Sequence, residues 1–257
     1  MIKDWIEIFH RDGAIVIPNA INLETCNKLK EDLDAINLST GKPGLKKRMF
    51  EHSDANLQLF WNEPIVSFAE QLIADDGGDN SFPPIKEAHV IHNNSFIIKA
   101  GKDGLGKSSW HMDDSNHFLS LDGKPANIRL NVLAITCLYY LTDVLTIENG
   151  PTQYIPGSHL FGIPCTDDNA KKHEDKAIAG LGAAGTCVIV NNQVWHKGSK
   201  NTSKVNRYVT QISYAKRFVG HKYQPFVGYT MPEHIYKDIK DPRKLRLLGF
   251  LSSGPYG

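Results

Sequence analysis

The chain is poor in cysteine, in long apolar stretches and in surplus charge. Its 257 residues include four cysteines, Cys26, Cys137, Cys165 and Cys187. No two of them form a Cys-x-x-Cys pair, which argues against a zinc knuckle or a thioredoxin-like site. Free thiols in a reducing cytoplasm are the expectation. No apolar run has the length of a membrane-spanning helix, and the opening Met1-Ile2-Lys3-Asp4-Trp5 carries charge with no long apolar run after it. Neither an export signal nor a membrane partner is therefore expected. Lys and Arg number 29 against 28 Asp and Glu, a net charge of +1. That balance lacks the basic surplus that a nucleic-acid backbone demands of its partner. No repeat or low-complexity tract is visible. What remains, 41% hydrophobic and 22% charged residues, is the composition of a globular domain.

Helical signals come first. Residues 4–10 read as a short amphipathic helix ending near Asp12-Gly13, and Ala14 to Pro18 as a strand. Asn22 is placed to cap a helix over residues 23–37, where Leu29, Leu33 and Ile36 recur at helical spacing. Residues 39–56 read as loop. Residues 57–74 carry Leu57, Phe60, Trp61, Ile65, Phe68, Ala69 and Leu72, an apolar face for a helix started near Pro64. After residue 86 the period shifts toward two. Strands are expected over 90–100, around His111 and Asp113, over 130–141, 153–155 and 186–190, near Trp195-His196, and over 207–215. Residues 160–178 read as a polar insertion or lid, and the tail after Gly220 as irregular with a short helix near 232–239. Helices followed by many short, Gly/Pro-punctuated strands predict a mainly β fold with flanking helices, an antiparallel jelly roll rather than alternating βα units. One domain over 1–257 is expected: a helical region 1–85 packed on a jelly-roll core 86–220, then the irregular tail.

The chemistry centres on Ser109-Trp110-His111-Met112-Asp113-Asp114. On a strand, residues i and i+2 share a face, so His111 and Asp113 would converge on one point. His196, in Val194-Trp195-His196-Lys197-Gly198-Ser199, can complete it. Two imidazoles and a carboxylate on one side of a metal leave the opposite positions open, the donor set of non-haem Fe(II) oxygenases. Arg207 follows His196 by 11 residues, with a Gly/Ser/Asn/Thr turn between them. From an adjacent antiparallel strand its guanidinium can grip a carboxylate bidentately.

Taken with Glu148-Asn149-Gly150-Pro151-Thr152-Gln153-Tyr154-Ile155-Pro156-Gly157-Ser158-His159, the early Phe9-His10-Arg11-Asp12-Gly13 and the closing Leu247 to Gly257, these motifs resemble the phytanoyl-CoA dioxygenase family. The resemblance covers nearly the whole chain. It implies a double-stranded β-helix of cupin-like type and an Fe(II)- and 2-oxoglutarate-dependent dioxygenase that consumes O2, hydroxylates a small molecule and releases succinate and CO2. It implies His111, Asp113 and His196 as iron ligands, Arg207 as the cation for the far carboxylate of 2-oxoglutarate, and Thr152 as a further contact to that co-substrate. Substrate and oligomeric state are not implied.

Two rivals come from other classes. Gly101 to Ser108 fits the phosphate-loop pattern Gly-x4-Gly-Lys-Ser, but such a loop must open a helix whose N-terminus faces the anion. The residues after it, rich in Ser, Asp and Asn, favour turns. The other rival is a jelly-roll metal-binding protein without catalysis. Among the remaining histidines, His89 and His92 are three apart and expected on opposite faces of a strand. His117, evenly spaced from His111, is a minor alternative ligand, and His159 is expected to be structural.

Overall fold

The computed structural model describes residues 1–41, 44–74, 88–101, 109–220 and 229–250. Helix α1, Ile2–Asp12, ends where Gly13 takes a left-handed conformation (φ 75°) and its N–H caps the Phe9 carbonyl at 2.8 Å. A side chain is excluded there. A Cβ on Gly13 would come within 2.5 Å of His159 Nδ1 and 2.9 Å of Val194 Cγ2. Strand β1 (Ala14–Ile17) follows, then α2 (Leu23–Thr40), with the Asn22 side chain accepting from Thr25 N–H at 2.8 Å as the cap.

The described residues within 39–56 hold more secondary structure than a loop. They hold an edge strand β2 (Lys46–Lys47), a 3-10 turn Met49–Glu51 and the start of α3 (Asp54–Gln58). Met49 and Phe50 are buried, which supplies the reason: two apolar side chains anchor an otherwise polar stretch. The apolar face over 57–74 is carried by three pieces, α3, a 3-10 turn Leu59–Trp61 and α4 (Ile65–Ala74), and only the last is the helix expected to start near Pro64. Pro64 cannot donate to a continuing ladder, so the chain re-enters helix only after it.

The β region comprises β3 (Ala88–Ile98), β4 (Ala134–Tyr140), β5 (Thr152–Tyr154), the short helix α5 (Asp167–Lys171), β6 (Ile178–Ala179), β7 (Cys187–Asn191), β8 (His196–Gly198) and β9 (Arg207–Lys216). Strand β4 starts later than expected, since Ile128 and Leu130 are exposed. A 3-10 turn at Glu233–Ile235 replaces the tail helix expected at 232–239, and a helix α6 (Pro242–Leu247) lies beyond it.

The strands form two sheets, a six-stranded one in the order β1-β7-β4-β9-β3-β2 and a three-stranded one in the order β6-β5-β8. All pairings are antiparallel, and the fold is a jelly roll with flanking helices. One face of the larger sheet, with Ile135, Cys137, Tyr139, Ile212 and Tyr214, packs on Phe9, Leu29, Phe60, Phe68 and Leu72 of the helical layer. Each such large side chain contributes roughly 1.5–3 kcal/mol by leaving water. The opposite face, with Leu138, Tyr140, Val188, Val190 and Val209, meets Tyr154 of the smaller sheet. This inner space between the sheets is where the polar motifs converge.

Histidines 89 and 92 depart from expectation. A bulge lies between Val90 and His92, so His89 is registered against Ala215 and His92 against Ser213. Those partners are two apart on β9, and both histidines share the inner face. An inserted residue restores the parity that simple alternation denies them.

Candidate metal centre

His111, Asp113 and His196 come together. Each offers one ligand atom, and those atoms all lie within 4.8 Å of one another. The two imidazole rings are 4.3 Å apart between centroids, and His196 Nε2 is 3.5 Å from Asp113 Oδ1. The route to this convergence is not the strand that alternation suggests. His111 forms an isolated bridge to His196, each N–H donating to the other's carbonyl at 2.9 Å. Asp113 lies beyond it in a bend, where its N–H donates to the Asn192 carbonyl at 3.0 Å. Backbone pairing to the segment before β8, rather than pleat alternation, sets the carboxylate beside the imidazoles.

Contacts behind the donors orient them. His111 Nδ1 is 3.2 Å from the Ser109 carbonyl, and His196 Nδ1 is 2.9 Å from the Val194 carbonyl. A carbonyl can only accept, so both Nδ1 atoms carry the proton and both Nε2 atoms keep a lone pair for a cation. Thr136 Oγ1 donates to Asp113 Oδ2 at 3.1 Å, with Ser213 Oγ 2.9 Å from the same hydroxyl. Ser158 Oγ accepts from Trp195 N–H at 2.8 Å and donates to the Ile155 carbonyl at 2.7 Å, which pins the residue before His196. Burial by itself lowers the His196 pKa, but the Asp113 carboxylate and the Val194 carbonyl outweigh it and leave the imidazole above its ordinary value. The carboxylate stabilises positive charge at this point. The donor set, two imidazoles and one carboxylate oxygen, fits a divalent first-row metal such as Fe(II).

Arg207, 2% exposed, sits at the head of β9. Its Nη2 donates to Thr152 Oγ1 at 3.3 Å, Nη1 donates to the Gly150 carbonyl, and the guanidinium lies 4.7 Å over the Tyr140 ring. Nε has no hydrogen-bond partner. No carboxylate is paired with this cation among the described residues, and burial pulls its pKa below the ordinary value, against the pull of Tyr140. A buried guanidinium with an orphaned N–H and no counter-ion is a site that an anion satisfies. Thr152 is registered against Gly198, two residues along β8 from His196. That offset is roughly 7 Å, about the length of a five-carbon dicarboxylate.

Local sequence builds this corner. Gly150 has φ 73°, and a Cβ on it would come within 2.8 Å of the Ser199 carbonyl oxygen. Asn149 Oδ1 accepts from the N–H groups of Leu145 and Thr146. Buried Asn201 donates to the Ile98 and Val205 carbonyls, shaping the turn that delivers Arg207.

His117 is not in the cluster; its backbone N–H donates to Gln193 Oε1. His159 Nε2 lies 3.1 Å from the His10 carbonyl. The phosphate-loop candidate lies outside the described residues from Lys102 to Ser108. No helix follows it over residues 109–133, so the context that reading needs is missing. Sequence reasoning did not find Thr136, Ser213 or Asn192. A hydroxyl at alternate positions of two apolar strands was the available signal.

Comparison with known proteins agrees with this arrangement. The sequence model described as phytanoyl-CoA dioxygenase (PhyH) matches residues 9–209. An ectoine dioxygenase of Stutzerimonas stutzeri is 23% identical over 68% of this chain and 56% of its own length. A second ectoine dioxygenase is matched over 50% of its length, so the chain spans about half the length of these relatives. L-proline trans-4-hydroxylase of Streptomyces griseoviridis is 25% identical over 80% of this chain and 83% of its own. Among solved structures, the epimerase SnoN in complex with Fe3+, alpha ketoglutarate and nogalamycin RO superposes with a TM-score of 0.65 at 17% identity, covering 90% of this chain and 93% of that one.

Proposed function

This chain belongs to the phytanoyl-CoA dioxygenase family, and from that premise we propose that it is an Fe(II)- and 2-oxoglutarate-dependent dioxygenase that hydroxylates a small molecule. One observation carries the reading: a buried guanidinium with no carboxylate partner among the described residues meets Thr152, whose register partner Gly198 lies two residues along β8 from His196 of the His/Asp/His cluster. His111 Nε2, His196 Nε2 and an Asp113 carboxylate oxygen would hold the iron. Arg207, with the Thr152 hydroxyl beside it, would take the far carboxylate of 2-oxoglutarate as a charge-assisted pair. Iron with 2-oxoglutarate and O2 supplies a two-electron oxidation of a C–H bond, with succinate and CO2 released. The chain's own part is orientation. Thr136 holds the outer oxygen of Asp113, and the apolar wall of Leu138, Val188 and Val209 limits water between the sheets.

The same reading takes residues 1–257 as one catalytic domain. Among the described residues no helix is long and apolar enough to cross a membrane. All four cysteines are free, which suits a cytoplasmic location. The test is anaerobic addition of Fe(II) and then 2-oxoglutarate, which should produce a weak visible charge-transfer band, followed by succinate release on admitting O2. Absence of the band with metal bound overturns the oxygenase reading in favour of a metal-binding protein without catalysis.

A further inference from the structure

The inner face of the larger sheet changes character along its strands. Around Tyr154 it is apolar, with Leu138, Val188 and Val209. Around Asp113 it is polar, with Thr136 and Ser213 in contact. On the β3 side of this boundary stand two carboxamides. Asn94 is registered directly opposite Gln211, so both side chains project to one face. Gln211 is also registered against Leu138, which identifies that face as the inner one. Asn94 is 3% exposed, and its Oδ1 has no hydrogen-bond partner. Gln211 is half-buried. Ser213, which touches the hydroxyl that holds Asp113, lies two residues along β9, roughly 7 Å away.

A buried carboxamide oxygen left without a donor is an incomplete site. Arg207 is already engaged with Thr152 and Gly150. Lys47, registered against Asn94 on the edge strand, is exposed and keeps its ammonium in water. On this side of the inner space Asn94 therefore offers an unmatched carboxamide oxygen beside the half-buried carboxamide of Gln211, and the complement of such a pair is another amide, which donates and accepts at once.

We propose that Asn94 and Gln211 form the recognition subsite for the primary substrate and select a neutral amide-type group, such as an amide, lactam or urea edge. This inference rests on the iron and 2-oxoglutarate reading above. A ligand held by the pair reaches toward the cluster from the β3 side, while 2-oxoglutarate approaches from Arg207. Loss of a matched polar contact penalises an analogue lacking the N–H far more than loss of apolar contact would.

The experiment uses the full chain loaded anaerobically with Fe(II) and 2-oxoglutarate. It is titrated with δ-valerolactam and with cyclohexanone, a ring of the same size in which CH2 replaces the N–H. Perturbation of the visible band reports binding. The lactam is expected to bind at least about tenfold more tightly than the ketone. In Asn94→Leu and Gln211→Leu, that ratio should fall toward one with 2-oxoglutarate affinity unchanged. Gln211 is half-exposed, so its variant tests the pair even where Asn94→Leu does not fold. Equal binding of the two rings to the unsubstituted chain overturns the proposal, as does a preference that survives in Gln211→Leu. Loss of 2-oxoglutarate affinity in Asn94→Leu with the lactam preference intact assigns Asn94 to the co-substrate and also overturns it. An unsubstituted chain that gives no band refutes the oxygenase reading itself, and this inference falls with it. A band without lactam preference refutes the inference alone.

Discussion

Thr136 illustrates how much rests on single side chains. Its hydroxyl is 3.1 Å from Asp113 Oδ2 on one side and 2.9 Å from Ser213 Oγ on the other. Groups that orient a metal ligand typically account for about 10- to 100-fold in affinity. Thr136→Val, which keeps the shape and removes the hydroxyl, should therefore weaken Fe(II) binding by about tenfold or more, while Thr136→Ser stays within a few-fold. Competition against a calibrated chelator measures both, and equal affinities in Val and Ser variants would show that the contact does not matter. Arg207 makes the second residue-scale case. Truncating one partner of a buried charge pair costs on the order of 2–5 kcal/mol. Arg207→Ala should accordingly raise the 2-oxoglutarate requirement by about 30-fold or more, and leave Fe(II) affinity intact. Arg207→Lys should recover only part, because an ammonium lacks the planar fork. Unchanged 2-oxoglutarate binding in Arg207→Ala would remove this residue from the co-substrate site.

At the scale of elements, the turn before β6 locks onto the α1–β1 corner. His159 Nε2 donates to the His10 carbonyl, Gly157 N–H donates to the Asp12 carbonyl at 2.9 Å, and Gly13 packs beneath the ring. Burial pushes the His159 pKa down to about 4, with His10 lowering it and the His10 carbonyl and Asp12 raising it. The folded chain thus keeps this imidazole neutral where the unfolded chain, near 6.5, takes up a proton. The contribution is fully present above about pH 6.5 and is lost as pH falls toward 4. Its ceiling is about 3 kcal/mol, reduced because the ring is partly exposed. His159→Gln should flatten the decline of melting temperature between pH 7 and pH 4.5, and an identical decline in the variant would refute the assignment. The 160–178 segment is held differently. Glu174 accepts from Lys197 Nζ at 2.6 Å and from Trp110 Nε1 at 3.2 Å, and Lys197 lies 4.4 Å over the Trp110 ring. Trp110 precedes His111 and Lys197 follows His196, so the clasp spans both segments that carry the candidate metal-binding histidines. Glu174 is exposed and the pair is screened by water. Glu174→Ala should cost less than about 1 kcal/mol of global stability and yet increase protease cleavage within 164–178; unchanged cleavage would mean the clasp holds nothing in place.

At the scale of the molecule, the candidate centre ties together segments far apart in the chain. His111, Asp113 and His196 join the stretch before β4 to β8, and Arg207 joins β9 to the turn before β5. A ligand that binds only this closed arrangement stabilises it by mass action, about 2.7 kcal/mol at one hundred times its dissociation constant. Anaerobic Fe(II) should raise the melting temperature, and 2-oxoglutarate should raise it further. Arg207→Ala should lose the second increment alone, and loss of both or neither would contradict the division of roles proposed for these residues.

Much of this was legible from residue order. Asn22 capped the helix that starts beside it, Gly13 stopped the one before it, and the apolar run over 130–141 and the shared face of Arg207, Val209, Gln211 and Ser213 marked β4 and β9 of the larger sheet. These are local matters, decided by backbone conformation and by which side chains leave water together, and the sequence determined them by itself. The same holds for the identity of His111, Asp113, His196 and Arg207 as the groups worth bringing together. How they meet was decided only by the tertiary structure. Asp113 reaches the imidazoles through a backbone bond to Asn192, not through the pleat. A bulge turns His92 to the face of Ser213. Thr152 acquires Arg207 from 55 residues away. Each depends on the register between strands distant in the chain, and a shift of one residue in that register would reverse every face. Local pattern carries no term for that register; it follows from closing the two sheets around one interior.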